Sequence, residues 1–475
     1  MLDYKKIGFR SGLEVRQRLE SSKLFCRCPS ILRDDKPDFT IKRRLRALAG
    51  ETGEIDVAAA FEAQKNLEFY YEGYYDTTCL VELDEEPIHS INYQALDIAL
   101  EVCLLLNCKI EDDVFVMRKI VIDGSNTSGF QRTALLARDG FIETSKGRVK
   151  IGSVCLEEEA AKNIKEEKSQ RVWRLDRLGI PLIEIMTDAS IIDPMHAKEV
   201  GEKIGMILRS TSKVMRGIGS IRQDVNLSIS GGKRVEIKGF QDIRTMPKIM
   251  EFEVKRQIDL LDKGLEIKAE VRKANEDGTT SYLRPLPGGA RMYPETDIDS
   301  IIITKERLNK IVLPELISNK SIRFEKEHGL SGELAEIISK EKTKEFEGFV
   351  KRHKDIKPEL IAKTLLLTLK DLKSRLKLDT SKISDKDLDE VFDALSKKEI
   401  PESAVSGVLE EKIKSGKFNF EKFKGVSIKE VEEFILDTIK KNKDLSINAI
   451  MGIVMEKYRG KIQGSAVMEL IKKHK

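Results

Sequence analysis

The chain opens on a strict alternation. In "GLEVRQRLESSKLFCRC", Leu13, Val15 and Leu19 fall on one side of an extended backbone and Glu14, Arg16, Arg18 and Glu20 on the other, because successive strand side chains leave opposite faces of a sheet. That charged row is either a solvated outer face or one wall of a site. "DVFVMRKIVIDG" (113–124) and "GRVKIGSVCL" (147–156) predict further strands, and "YQALDIALEVCLLL" (93–106) predicts a helix from its 3.6-residue spacing. In "LDRLGIPLIEIM", the nearly continuous apolar run of Ile180, Leu182, Ile183, Ile185 and Met186 predicts a strand covered on both faces, yet Glu184 stands in its middle. A carboxylate buried there is costly unless paired or bound to metal; the alternative is a half-buried strand with Glu184 turned to solvent. Strand and helix do not alternate in regular βαβ units, so residues 1–304 are expected to form an α+β domain with a mostly antiparallel sheet.

Beyond about Ile303 the strand patterns stop and Lys-rich amphipathic helices follow one another. "SGELAEIISKE" sets Leu334, Ile337 and Ile338 on one face, within a helical domain expected over 305–382. An all-helical tail is expected over 383–475, where "SDKDLDEVFDALSKK" places Ser384 and Asp387 at the reciprocal positions of a capping box and "SIKEVEEFILDTI" repeats the device with Ser427 and Glu430. "LRPLPGGARMYPETDID" (283–299), with three of the twelve prolines and a Gly pair, predicts an irregular functional loop.

Composition narrows the function classes. At 475 residues the chain exceeds one ordinary core, and 40% apolar with 35% charged residues describes a soluble, charge-rich globular protein. No apolar run approaches the roughly 20 residues of a spanning helix, and the N-terminus lacks an apolar signal core, so no membrane and no secretion are expected. Six cysteines without a dense framework fit a reducing cytoplasm. A net charge of +4 against 84 basic and 80 acidic residues does not announce a nucleic-acid binder, so only a local patch could serve. "EKYRGKIQGSAVMELIKKHK" offers one in Lys457, Arg459, Lys461, Lys472 and Lys473, as either a phosphate-contacting surface or solvated helix ends.

Much chemistry is absent: there is no G-x-x-x-x-G-K-[ST] loop, no H-E-x-x-H, no G-x-S-x-G elbow and no His motif to serve a nucleophile. "GIGSIR" (217–222) lacks the third glycine and preceding strand of a dinucleotide fingerprint and predicts a plain turn. The run Glu157, Glu158, Glu159 at a strand end is either a solvated helix start or part of a site for a hard cation, which takes oxygen ligands. With Glu14 and Glu184 it could line a Mg-ATP site, although spacing does not show convergence. "GSIRQDVNLSIS" sets Arg222, Asp224 and Asn226 on one strand face, and "VEIKGF" sets Glu236 and Lys238 on another; such faces suit phosphate and metal waters, and equally a wet surface. Cys26 and Cys28 form C-x-C, with Cys79 a third candidate zinc ligand; the alternative is buried structural thiols.

"GLEV" with "KLFCRCPS", then "GSNTSGFQRT", "CLEEEAAK", "LDRLGIPLIEI", "SIRQDVNLSI", "EIKGFQDIRTMPKIMEFEVKRQ" and "RPLPGGARMYPETDI" resemble, in order, the GatB/GatE family of tRNA-dependent amidotransferases, and "SNTSGFQRT" resembles its archaeal GatE branch. The resemblance implies a cradle domain that binds the 3′ end of Glu-tRNA(Gln), phosphorylates the attached glutamate with Mg-ATP and amidates it. The ammonia would come from an asparaginase-like partner protein of the D type, in a heterodimer or dimer of heterodimers. It implies that Glu14, Glu158 and Glu184 are metal-coordinating carboxylates, with Asp224 a nearby acidic pocket residue. Arg222 and Lys238 would flank the nucleotide pocket, and Ser128 and Gln131 would lie at its mouth. The helical tail would bind tRNA.

The sequence departs from the family in two places. Arg16 stands where the family usually has a His, replacing a potential metal ligand with a cation that cannot ligate; either Arg16 meets phosphate or carboxylate directly, or the metal site is altered. The inserted synthetase-like domain usual in the GatE branch is missing near 262–282. A GatB form, acting on Glu-tRNA(Gln) or Asp-tRNA(Asn), and a non-catalytic tRNA-binding scaffold are the rival readings.

Overall fold

The computed structural model describes residues 2–49, 53–240, 242–286, 292–426, 428–441, 445–458, 462 and 464–475. The expected loop is thus described only outside 287–291, and Ser427, Arg459 and Lys461 lie outside the described residues. The chain divides into two compact units, Met1–Pro314 and Glu315–Lys475.

The first unit is built on an eleven-stranded sheet, in which Thr280–Pro285, Glu270–Ala274, Val235–Lys238, Ile221–Ser228, Arg10–Arg18, Pro181–Thr187, Gly147–Glu158, Phe130–Thr144, Val116–Ile120 and Met292–Pro294 lie in that order. Lys109–Ile110 also pairs with the long Phe130–Thr144 strand. Every pairing is antiparallel except that of Val235–Lys238 with Glu270–Ala274. The helix Met246–Asp262 lies between those two strands in the chain, as a parallel connection demands.

The alternation predicted at the N-terminus decides what each face does. Leu13, Val15, Ile183, Ile185, Val225 and Leu227 are all buried, and helix Pro194–Ser210 packs on their side, where a Cβ at Gly201 would lie 3.6 Å from Leu13 Cδ1. Tyr93–Leu105, the predicted helix, packs on the Phe130–Thr144 and Gly147–Glu158 strands. Fully burying one such aliphatic side chain is worth about 1.5–3 kcal/mol, so slipping the first strand by one residue would exchange its apolar set for its charged one. The opposite face is therefore left for Glu14, Arg16 and Arg18. A smaller four-stranded sheet, with Glu68–Gly73 and Gln170–Arg174 parallel at its centre, has its own core around Phe69, Tyr71 and Trp173.

The second unit is helical, as expected, with two apolar cores. One gathers Phe324, Ile338, Phe346, Phe349, Phe392 and Leu409; the other gathers Val431, Ile435, Ile450, Val454, Val467 and Ile471. Ser384 and Asp387 form the capping box that starts Asp385–Ser396, a device whose removal typically costs about 1 kcal/mol. Buried His353 hydrogen-bonds Asp389 of that helix at 2.8 Å and lies beside Phe392, tying it to Thr343–Arg352.

Candidate active site and thiol corner

Arg16 sits at the centre of the sheet's polar face, paired in register with Glu184 on one neighbouring strand and Arg222 on the other. Its guanidinium donates to Glu184 at 2.6 Å and Asp224 at 2.7 Å and also meets Glu14, while its Nε lies 3.9 Å from Glu157. All four carboxylates are buried, and burial alone would weaken their charged forms. The ring of acids supports the Arg16 guanidinium, raising its affinity for its proton further above the ordinary arginine value despite burial. Lys238 binds Asp224 and Glu236, each at 2.7 Å. Burial pushes the Asp224 carboxyl up, but Lys238 and Arg16 outweigh it and hold it below the usual range. Lys119 holds Glu157 at 2.5 Å.

Two residues beyond Glu157 the sign of the field reverses. Glu159 accepts both of its close bonds from Arg222, at 2.6 and 2.7 Å, and Arg18 lies 3.7 Å away. Burial raises the Glu159 carboxyl, yet Arg222, Arg177 and Arg18 together hold it low. One carboxylate among three guanidiniums leaves surplus positive charge, and burial together with the neighbouring arginines lowers the proton affinity of Arg18 and Arg177. The face thus has an acidic end suited to cations and a basic end suited to phosphate.

Glu158, expected among the metal carboxylates, is not brought to this cluster. Successive strand residues alternate, so Glu158 leaves the opposite face from Glu157; its carboxylate accepts from the Arg132 backbone N–H at 3.1 Å and pairs with the Arg132 guanidinium at 3.4 Å. Burial, only partly offset by Arg132, raises its carboxyl. Arg132 in turn binds Glu295 at 2.7 Å, which anchors the segment beyond the undescribed loop residues to the sheet. Gln131 bridges the two sides, donating to the Glu158 carbonyl at 2.6 Å and more weakly to the Glu157 carboxylate at 3.4 Å. Ser128 donates to the Phe130 carbonyl at 3.0 Å and lines a pocket on the Glu158 side.

That pocket also contains Cys26 and Glu82. Cys26, Cys28, Cys79 and Glu82 converge, with ligand atoms all within 4.8 Å of one another. Glu82 lies 3.0 Å from both Cys26 Sγ and Cys79 Sγ. Hydrogen bonds with Cys28 and Cys79, with burial, push the Cys26 thiol up; Cys79, burial and Glu82 push Cys28 up to about 12 against the opposing effect of Cys26, while hydrogen bonds with Cys26 and Cys28 pull Cys79 down. Fully buried Lys23 pairs with Glu82 at 2.8 Å and donates to the Thr77 and Leu175 carbonyls. Three soft sulfurs and one carboxylate make a donor set for zinc, whereas Glu14, Asp224 and Glu236, the other convergent group among the described residues, offer only hard oxygen.

Glu82 and Lys119 were the members that pattern reading did not single out, whereas Glu157 was read only as one of a run of three. The signal for Glu82 is its place three residues after Cys79, where one turn returns the chain to the same side.

An α+β catalytic domain with a charged sheet face, joined to a helical unit, is the class that this fold and site define. A sequence model of the GatB/GatE catalytic domain matches residues 9–309, and one of the GatB domain matches 344–474. The E-type chain of the glutamyl-tRNA(Gln) amidotransferase of Methanocaldococcus jannaschii is 39% identical over 624 aligned positions, covering 99% of each chain. Its counterparts in Methanococcus maripaludis and Methanosarcina barkeri are each 36% identical, covering 99% of this chain and 98% of theirs. The chain belongs to the GatB/GatE family. These alignments are longer than its 475 residues, so the relatives carry residues that it lacks; here helix Met246–Asp262 passes to strand Glu270–Ala274 through a short connection.

Proposed function

We propose that the charged face activates and amidates glutamate carried on tRNA(Gln), a reading supported by relatives that are named as glutamyl-tRNA(Gln) amidotransferases. The observation that carries this reading is the opposed charge of the face: a basic end around Arg18, Arg177 and Arg222, and an acidic end around Arg16. In the first step a carboxylate oxygen of the glutamyl group attacks the terminal phosphorus of ATP, forming an acyl phosphate and releasing ADP. In the second, the ammonia nitrogen attacks the acyl carbon, phosphate leaves with the bonding electrons, and the nitrogen gives up a proton, leaving the amide.

The arginines of the basic end and Lys238 would hold phosphate oxygens, supplying the charge stabilisation on which phosphoryl transfer chiefly depends. Glu14, Asp224 and Glu236 would hold a magnesium ion, which when bound supplies further neutralisation of the phosphates. Buried Glu184 orients Arg16, and Gln131 fixes the backbone on which Glu157 and Glu158 part. The thiol corner would hold zinc in a closed structural site that braces the wall behind Glu158.

In the same reading the first unit is the cradle for the tRNA 3′ end. The helical unit Glu315–Lys475 would bind tRNA as well, with exposed Lys472 and Lys473 on Gly464–His474 as phosphate contacts. Ammonia is protonated in water, so the reaction needs a partner that delivers it shielded; an asparaginase-like protein of the D type fits. No helix among the described residues is long and apolar enough to cross a membrane, which suits work in the cytoplasm.

The test is product formation. Full-length protein given Glu-tRNA(Gln), ATP, magnesium and ammonium chloride should yield Gln-tRNA(Gln), measured after deacylation as glutamine. Tight tRNA binding without glutamine would favour the scaffold reading.

A further inference from the structure

Arg16 stands where the family resemblance leads one to expect a metal ligand, and its surroundings are those of a bound cation. Glu184, Asp224 and Glu14 contact the guanidinium and Glu157 approaches it. A guanidinium offers five N–H donors and no lone pair for a metal, so at the point where Arg16 stands these carboxylates face a fixed cation rather than an exchangeable ion. The charge of the cluster is then nearly settled. Five carboxylates, Glu14, Glu157, Glu184, Asp224 and Glu236, face three cations, Arg16, Lys119 and Lys238. The surplus of two negative charges is that of one divalent ion. The oxygens close enough to share such an ion belong to Glu14, Asp224 and Glu236.

We infer that Arg16 is a built-in cation occupying the position of one metal ion, so that this face takes a single divalent ion, held by Glu14, Asp224 and Glu236, and Glu184 serves as the partner of Arg16. The inference rests on the proposed metal-assisted phosphoryl transfer and specifies its cation arrangement. A tethered cation does not dissociate, and it presents N–H donors on a fixed fork where a metal would present exchangeable water. The chain therefore keeps three of the five positive charges of its acidic end when magnesium is scarce, counting Arg16, Lys119 and Lys238 against one divalent ion.

The test counts ions with metal alone. Full-length protein, its thiols first saturated with zinc, is titrated with Mn²⁺ without nucleotide, and free Mn²⁺ is read by electron paramagnetic resonance. Arg16→His should bind one more Mn²⁺ per chain than the wild type, Arg16→Lys the same number, and Asp224→Asn one fewer. Circular dichroism and gel filtration establish that each variant is folded. Equal counts for Arg16→His and wild type would overturn the inference, as would a wild type that already binds the extra ion. Should Arg16→His not fold, Arg16→Gln gives the second reading: Mn²⁺ should raise its thermal midpoint beyond the point where the wild type stops responding, and an identical response would count against Arg16. Glutamine formation by the wild-type sample separates the two claims. An extra ion in Arg16→His without glutamine from the wild type would leave Arg16 in its role and remove the proposed reaction; glutamine with equal counts would do the reverse.

Discussion

Glu157 and Glu158 are adjacent in the chain and lie in different chemical surroundings. Glu157 faces a cluster of oxygen ligands closed by Arg16, Lys119 and Lys238; Glu158 lies beside a thiol corner in which buried Lys23 pairs with Glu82. Both regions bury carboxylates, and both keep a cation of their own. They differ in what the remaining ligands accept. Oxygen ligands with surplus charge on both sides suit an exchangeable hard ion and its phosphate, while three sulfurs and a carboxylate fill a tetrahedral ion completely. On the proposed function, reaction falls to one face of the strand and support to the other.

The largest expected effect breaks the supporting side. Cys26→Ser combined with Cys79→Ser, or removal of zinc by a strong chelator, should lower stability by several kcal/mol, because a structural metal's binding energy is folding energy. The measurement is a thermal midpoint with and without added zinc; a midpoint indifferent to both treatments would assign the thiols to packing alone. Next comes a pair of substitutions, each exchanging one carboxylate for its amide. Asp224→Asn leaves Arg16 and Lys238 short of a charge and should cost about 2 kcal/mol in denaturant unfolding. Glu158→Gln removes a carboxyl that burial already penalises and should cost less than about 1 kcal/mol; equal losses would erase the distinction between the two faces.

How much of this could be read from the letters follows from periodicity. The Arg10–Arg18 and Ile221–Ser228 strands alternate cleanly, so the polar side of each was legible, Glu14 with Arg16 on one and Arg222 with Asp224 on the other; that the two sides adjoin follows only from the pairing of the strands. Glu184 stood out because an apolar run surrounds it. The α+β order of a sheet-rich unit before a helical one was equally legible, as was the capping box at Ser384. Three consecutive glutamates carry no period of their own. Only the pairing of Glu157 with Leu182 and of Glu158 with Pro181 tells which one turns to Arg16. Glu82 escaped notice because a carboxylate is an uncommon fourth partner for three thiols. Lys119, in "VMRKIV", reads as one more charge on an outer strand until the sheet brings it to Glu157.

Acid should sharpen the comparison next. Arg118 and Arg132 draw the Glu295 carboxyl down to about 2 although burial opposes them, and Asp224 is also held low. A depressed native value means that the unfolded chain takes up protons first as pH falls. The stabilisation from Glu295 is therefore complete above about pH 4.5 and is lost between there and about pH 2, and that from Asp224 is likewise lost on acidification. Glu158, whose carboxyl is raised, has the opposite sign: its proton favours the native state at low pH, and that contribution fades as pH rises through its native value. Unfolding free energies of wild type, Asp224→Asn and Glu158→Gln between pH 3 and 7 should thus converge for the first pair and diverge for the second on acidification. Parallel curves would contradict these assignments.

The smallest effect lies in the helical unit. Lys472→Gln with Lys473→Gln should weaken tRNA binding uniformly and reduce the slope of log affinity against log salt by roughly 1 to 2, as expected for one or two lost phosphate contacts. An unchanged slope would restrict the tRNA surface to other residues.

The central claim, that the Arg16 face transfers a phosphoryl group to tRNA-bound glutamate, is tested most directly by ADP release. Wild type mixed with ATP and magnesium should release ADP on addition of Glu-tRNA(Gln) and not of uncharged tRNA(Gln). Glu184→Gln, which removes one of the charges that hold Arg16, should bind the same tRNA with unchanged affinity and release ADP at least about 100-fold more slowly, a barrier increase of about 2.7 kcal/mol. ADP release at the wild-type rate by Glu184→Gln would contradict the account.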